Sequence, residues 1–97
     1  MKSENSVEAR VEQLSRFKKH LKDAPLEIRT AFRDAAILFR DNQNHLSLRN
    51  HSLKGKYAGY RSISVTDDWR AHFRVIKTKR YTTIRFVALG THKHLYK

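Results

Sequence analysis

Arg61-Ser62-Ile63-Ser64-Val65-Thr66-Asp67-Asp68-Trp69-Arg70-Ala71-His72-Phe73-Arg74-Val75 is the stretch that decides the fold. Ile63 and Val65 alternate with Ser62 and Ser64, while Trp69, Ala71, Phe73 and Val75 alternate with Arg70, His72 and Arg74. A period of two is that of a strand with one buried face. Thr66-Asp67-Asp68 between the two runs has turn chemistry. Beyond a second turn at residues 77–80, Ile84, Phe86 and Ala88 alternate with Arg85 and Val87. Three successive strands joined in this way predict an antiparallel meander.

The apolar sets also fix an expected register, because a slip of one residue turns every side chain to the other face. Across the first turn Val65 pairs with Trp69 and Ile63 with Ala71. Across the second, an even loop pairs Phe73 with Ile84 and Ala71 with Phe86. One face of the sheet then packs on helices. The other collects Ser62, Ser64, Arg70, His72, Arg74, Thr83 and Arg85 as a basic, hydroxyl-bearing surface.

Upstream, Asp23-Ala24-Pro25 reads as a break, with proline accommodated at a first helical position. Ile28, Ala31, Phe32, Ala35, Leu38 and Phe39 follow at helical spacing to about Arg40, leaving Arg29, Arg33 and Arg40 on the outer side. The first 24 residues fit two descriptions. Val7, Val11, Leu14 and Leu21 suit one helical face. Val7, Ala9 and Val11 also alternate with charged residues as a half-buried strand does, with Ser15 then capping a short helix that carries Phe17 and Leu21. Residues 41–46 are loop-like, and residues 53–60, with Gly55 and Gly59, lead into a strand.

Ninety-seven residues are enough for one domain, spanning 1–97, with one modest core. Lysine and arginine number 21 against 9 acidic residues, a formal charge of +12. Such a charge draws polyanions, with nucleic acid the leading partner and an acidic protein next. The absence of cysteine excludes disulfides and thiolate metal sites. No apolar run reaches the roughly 20 residues that a membrane span needs, and a cytoplasmic location is expected.

The C-terminal stretch Gly90-Thr91-His92-Lys93-His94-Leu95-Tyr96-Lys97 places imidazole, phenol and ammonium groups together. Histidine moves protons near neutral pH and cations hold phosphate, so these groups suit phosphodiester chemistry. Of the six histidines, His20 reads as a helix-surface residue and His45 as a loop residue. His51 and His92 stand beside glycine-containing turns and outside the apolar pattern. His92 and His94 form only a weak zinc signal, and no metal or cofactor is expected. Arg70, Arg74 and Arg85 suit phosphate, which their planar forks grip with two hydrogen bonds. Lys54, Lys56 and Lys93 read as charges that steer a backbone or as simple solvated surface, and Tyr60 and Tyr96 are candidates for stacking on bases or for covering the sheet edge. Asp68 reads locally as a turn residue, and Trp69 as core.

In order and spacing, the Pro25 helix, His51 with Leu53-Lys54-Gly55, Gly59-Tyr60-Arg61-Ser62, Asp68-Trp69-Arg70, and Gly90-Thr91-His92 with Leu95-Tyr96 resemble one family. It is the RelE/ParE superfamily of type II toxin–antitoxin toxins, most closely its YafQ-like branch, over roughly residues 15–97. The resemblance implies an α+β fold, β-α-α-β-β-β, with two helices packed on one face of a curved antiparallel sheet. It therefore favours the strand for about residues 7–13.

It further implies an endoribonuclease that uses no metal and cuts mRNA on the ribosome, held inactive by a cognate antitoxin. The 2′-OH attacks the adjacent phosphate, a reaction that needs a base, an acid and cations. By position, His51, Asp68 and His92 match acid/base residues, Tyr96 an aromatic near the scissile step, and Arg70 a phosphate-stabilising arginine. Lys54, Lys56, Arg61, Arg74, Arg85 and Lys93 are the further RNA- or phosphate-binding candidates. Two positions depart from the pattern. Ser64 stands where close members have another histidine, and Ala88 where they carry an arginine; Arg70 and Arg85 are the cations available in its place. The alternatives within the same fold are a ParE-like toxin that inhibits DNA gyrase by binding, and a catalytically degenerate nucleic-acid-binding module.

Overall fold

A computed structural model describes residues 8–96. The chain begins with strand β1 (Glu8–Gln13), continues through helices α1 (Ser15–Asp23) and α2 (Leu26–Asp41), and then forms β2 (His51–Ser52), β3 (Arg61–Ser64), β4 (Trp69–Lys77) and β5 (Tyr81–Thr91). A short helix, α3 (His92–Leu95), follows β5 directly. The five strands make one sheet in the order β1-β5-β4-β3-β2.

The N-terminal segment is a strand, though Val11 on it is exposed rather than half-buried and Val7 lies outside the described residues. β1 lies parallel to β5, with Val11 opposite Ile84 and Gln13 opposite Phe86, whereas all other neighbouring strands are antiparallel. The sheet is therefore mixed, and the fold is α+β. Ser15 is not a cap: Leu14 holds the N-cap position of α1 without a side-chain hydrogen bond. Pro25 likewise sits one place earlier than expected, as the N-cap residue of α2.

All five phenylalanines meet in the core between the helices and the sheet. Phe86 is their hub, with ring centroids 5.3 Å from Phe17, 5.1 Å from Phe32 and 5.6 Å from Phe73. Offset and edge-on aromatic pairs at such separations add to the burial of their area.

The register across the first turn is as the alternation requires: Ile63 opposes Ala71, and the Val65 amide donates to the Trp69 carbonyl. Across the second turn the expected pairs are wrong. Val75, not Phe73, opposes Ile84, and Phe73 opposes Phe86. Thr78 explains the offset, because its hydroxyl accepts from the Tyr81 amide and closes the hairpin around Lys79 and Arg80, one residue later than expected. Beyond Phe73 the ladder shifts again: His72 opposes Ala88, leaving Val87 as an extra residue, and Ala71 opposes Leu89. A bulge of this kind re-aims the side chains after it. Ala88 consequently leaves the core face for the His72 face, and Leu89 takes its place in the core.

His20 is also more than a surface residue. Where β1 ends, its Nδ1 accepts from the Leu89 amide at 3.2 Å, supplying a partner to a β5 N–H. Burial, then the nearby Arg16 charge, lowers its pKa below the usual histidine value.

Candidate active site

The face of the sheet opposite the phenylalanine core is not the open polar surface that alternation suggests. Ser62, Ser64 and His72 project there, yet all three are buried. Two tyrosines pack on His72. Tyr57 comes from a 3₁₀ turn, Gly55–Tyr57, within a loop whose left-handed backbone at Gly55 (φ +66°) and Gly59 (φ +92°) favours glycine. Tyr96 comes from the end of α3. The Tyr57, His72 and Tyr96 rings pack against one another at 5.3–5.9 Å between centroids.

Hydrogen bonds lock this arrangement. His72 Nε2 and the Tyr96 hydroxyl are 3.1 Å apart. The Tyr57 hydroxyl donates to the Leu95 carbonyl at 2.6 Å, tying the 3₁₀ turn to α3. Burial, followed by the charges of His51, Arg70 and His92, pushes the His72 pKa down to about 4. At neutral pH His72 is therefore an uncharged imidazole that holds Tyr96. Beside it in the ladder, opposite His51 as well, lies Ser62, whose Oγ is buried without a hydrogen-bond partner among the described residues.

Around this packed centre stand the residues singled out in the sequence. His92 opens α3; its amide donates to the Asp68 carbonyl at 2.9 Å, and its ring lies 4.5 Å from that of Tyr96. His51 is exposed on β2, and its Nδ1 donates to the Arg49 carbonyl at 2.7 Å. With Nδ1 carrying the proton, the neutral ring leaves Nε2 bare. Arg70 Nη1 donates to Ser64 Oγ at 3.3 Å, so Ser64 anchors the Arg70 guanidinium.

Other candidates lie further out. The exposed Asp68 contributes its main chain to His92, while its carboxylate makes no hydrogen bond or ion pair among the described residues. Arg61 Nε donates to Asn50 Oδ1 at 2.9 Å, and the Arg74 guanidinium lies 5.8 Å from the Tyr60 ring centroid. Arg85 is engaged in an ion pair with Glu12 on β1, so it is not a spare cation for the Ala88 position. Lys54, Lys56 and Lys93 are exposed, with the Lys56 ammonium 5.3 Å from the Tyr57 ring centroid.

Sequence reasoning placed His72 only on a polar face and passed over Tyr57. The available signal was position: His72 falls on the Ser62 side of a period-two strand, and Tyr57 stands between two glycines. Neither pattern reveals that α3 folds back to cover the pair.

This combination of mixed sheet, two core helices and a histidine-bearing C-terminal helix defines a class. YafQ from E. coli strain BL21(DE3) superposes with a TM-score of 0.75 at 22% identity, covering 93% of this chain and all of that one. The E. coli DinJ–YafQ toxin–antitoxin complex gives 0.73 at 23% identity, with coverage of 94% and 100%. The RelBE2 toxin–antitoxin complex of Mycobacterium tuberculosis gives 0.66 at 22%, with coverage of 89% and 100%. The fold is thus that of the RelE-superfamily toxins. A family profile described as the bacterial toxin of type II toxin–antitoxin system, YafQ, matches residues 9–97, and the chain belongs to that family. Among curated proteins, none matches the sequence significantly. No described helix is long and apolar enough to cross a membrane.

Proposed function

We propose that the chain is a ribonuclease toxin that cleaves mRNA on the ribosome by attack of a ribose 2′-OH on the adjacent phosphate. The observation that carries this reading is the gathering of His51, His92, Tyr96 and Arg70 around a buried, neutral His72. Two exposed imidazoles flank one basic site, as acid–base transfer at a phosphodiester requires. His51 takes the 2′-OH proton on its bare Nε2. The new bond from O2′ to phosphorus gives a 2′,3′-cyclic phosphate. The bond to the 5′ oxygen breaks, and His92 returns a proton to that oxygen as a free 5′-OH. Arg70, steadied by Ser64, offsets the charge that gathers on the phosphate. Tyr96 holds His92 on one side and His72 on the other. Asp68 positions His92 through its carbonyl.

No residue in this scheme is asked to hold a metal. Lys54, Lys56, Arg61, Arg74 and Lys93 steer the RNA backbone by charge. The ribosome presents the strand, since so small a domain offers little surface for selecting RNA unaided. A cytoplasmic location follows from that substrate. The relatives DinJ–YafQ and RelBE2 are toxin–antitoxin complexes, and the +12 charge suits an acidic antitoxin segment that covers this face.

The chemistry is tested by end analysis of RNA cut in a purified translation system. Cyclic phosphate and 5′-OH ends are expected. Ends bearing 5′-phosphate would overturn the mechanism, because hydrolysis by water would then replace 2′-OH attack.

A further inference from the structure

Next to the histidine cluster, on the same face, the sheet opens into a second cleft of about 280 Å³. Leu14 and Arg16 at the start of α1 line it together with Lys56, Tyr57, Tyr60 and His72, and Val87 with Ala88 on β5 give it an apolar floor. The bulge creates this floor, since it turns Ala88 away from the core and leaves a methyl where a longer side chain would fill the space. Arg16 is exposed and makes no hydrogen bond or ion pair among the described residues. His72 and Tyr57 line the cleft and also pack against Tyr96, so the two sites share a wall.

We propose that this cleft is a nucleotide subsite, which takes one base of the RNA beside the scissile phosphate. The base lies against Tyr57 and Tyr60, and Arg16 grips its phosphate. The walls match that ligand in kind. Single-stranded RNA is recognised by bases stacked on aromatic rings, with arginine forks on the phosphates. The cleft is smaller than the roughly 300–1,000 Å³ that drug-sized ligands occupy, and so fits a single base rather than a longer segment. An acidic peptide would satisfy Arg16 but has no use for two tyrosines above an apolar floor. The subsite rests on the ribonuclease reading for its place in the reaction, and it names the part of the chain that selects sequence there.

The test is binding of non-cleavable 2′-O-methyl RNA tetranucleotides, one for each base, to the full chain. It is followed by NMR through the Ala88 methyl and Tyr60 ring signals. Saturable shifts are expected with at least one tetranucleotide. Arg16→Glu should weaken that binding about ten-fold or more, as loss of a charge-assisted phosphate contact does. Arg33→Glu, the same charge reversal on the exposed side of α2, should change it far less. Tyr60→Ala should weaken it about 5- to 150-fold, the range of one lost base–aromatic stack.

Absence of shifts with all four tetranucleotides would overturn the proposal. Equal losses for Arg16→Glu and Arg33→Glu would do the same, and so would equal shifts from a tetraglutamate peptide. Because the probe has no 2′-OH to attack, a chain that binds here and cuts no mRNA would keep the subsite and lose the ribonuclease reading.

Discussion

His72 carries the closest link between folding and chemistry at the scale of single residues. Its ring is enclosed by Tyr57 and Tyr96 and faces His51, Arg70 and His92, so the protonated form is disfavoured from every side. The folded pKa of about 4 lies below the ordinary histidine value of 6.5. Its stabilising effect is therefore complete above pH 6.5, erodes as pH falls through the interval between the two values, and is gone below about pH 4. A shift of that size corresponds to roughly 3 kcal/mol. His20, also lowered, adds to the slope in the same direction. His72→Gln, which keeps a hydrogen-bonding group beside Tyr96 but does not titrate, should flatten the acid side of the stability curve measured by denaturant midpoints from pH 7 to pH 4. An unchanged slope would mean that His72 takes up its proton as readily in the folded chain as in the unfolded one. Nothing in the sequence around His72 announces this role, because its neighbours Arg70 and Arg74 read as a wet, charged face. The burial comes from tyrosines 15 residues before and 24 residues after it in the chain.

At the scale of elements, α3 is the part on which the site hangs. It is four residues long, capped by the Thr91 hydroxyl and tied down by the Tyr57 bond to Leu95. Gly90 lies beneath it, and a Cβ there would stand 3.2 Å from His94 Cδ2 and 3.3 Å from Leu95 Cγ. Gly90→Ala should therefore displace α3 by a few tenths of an ångström, carrying His92 and Tyr96 with it. We expect activity to fall about ten-fold, since catalytic geometry is steep in distance, while stability changes by less than about 1 kcal/mol. Unaltered activity would show that the position of α3 is not critical. Phe86→Ala tests the opposite case, a core residue on the face of the sheet away from His72. Loss of the hub ring should cost about 3–5 kcal/mol, a large part of the roughly 5–15 kcal/mol that holds a domain together. Thermal unfolding would show it.

These elements were unequally legible. The period-two runs in β3 and β4, and the 3.6-residue stripe in α2, announce themselves because each buries one face. The bulge at Val87 does not, for Ile84, Phe86 and Ala88 continue the alternation straight through it. Nor does the pairing of β1 with β5, since a parallel partner at the far end of the chain leaves no local mark.

For the whole molecule, the strand order sets where the proposed site lies. Because β5 is an inner strand, between β1 and β4, the helix that follows it folds back over the sheet, and β1 brings α1 and its Arg16 to the same neighbourhood. The first and last elements of the chain thus border one basic face, with His51 approaching from the opposite edge on β2. The +12 charge was plain in the sequence and pointed to a polyanion. Which cations face the site was not plain, for Arg85 is claimed by Glu12, whereas Arg16 belongs to a helix with no other sign of function.

The most direct test of the central claim is growth arrest combined with 5′-end mapping of cellular mRNA after induction of the wild-type chain or His92→Ala. Cuts in phase with codons should appear with the wild type and disappear with the variant, whose fold should be intact. Arrest with uncut mRNA would contradict the account and point to a toxin that acts by binding, whereas absence of arrest would point to an inert module.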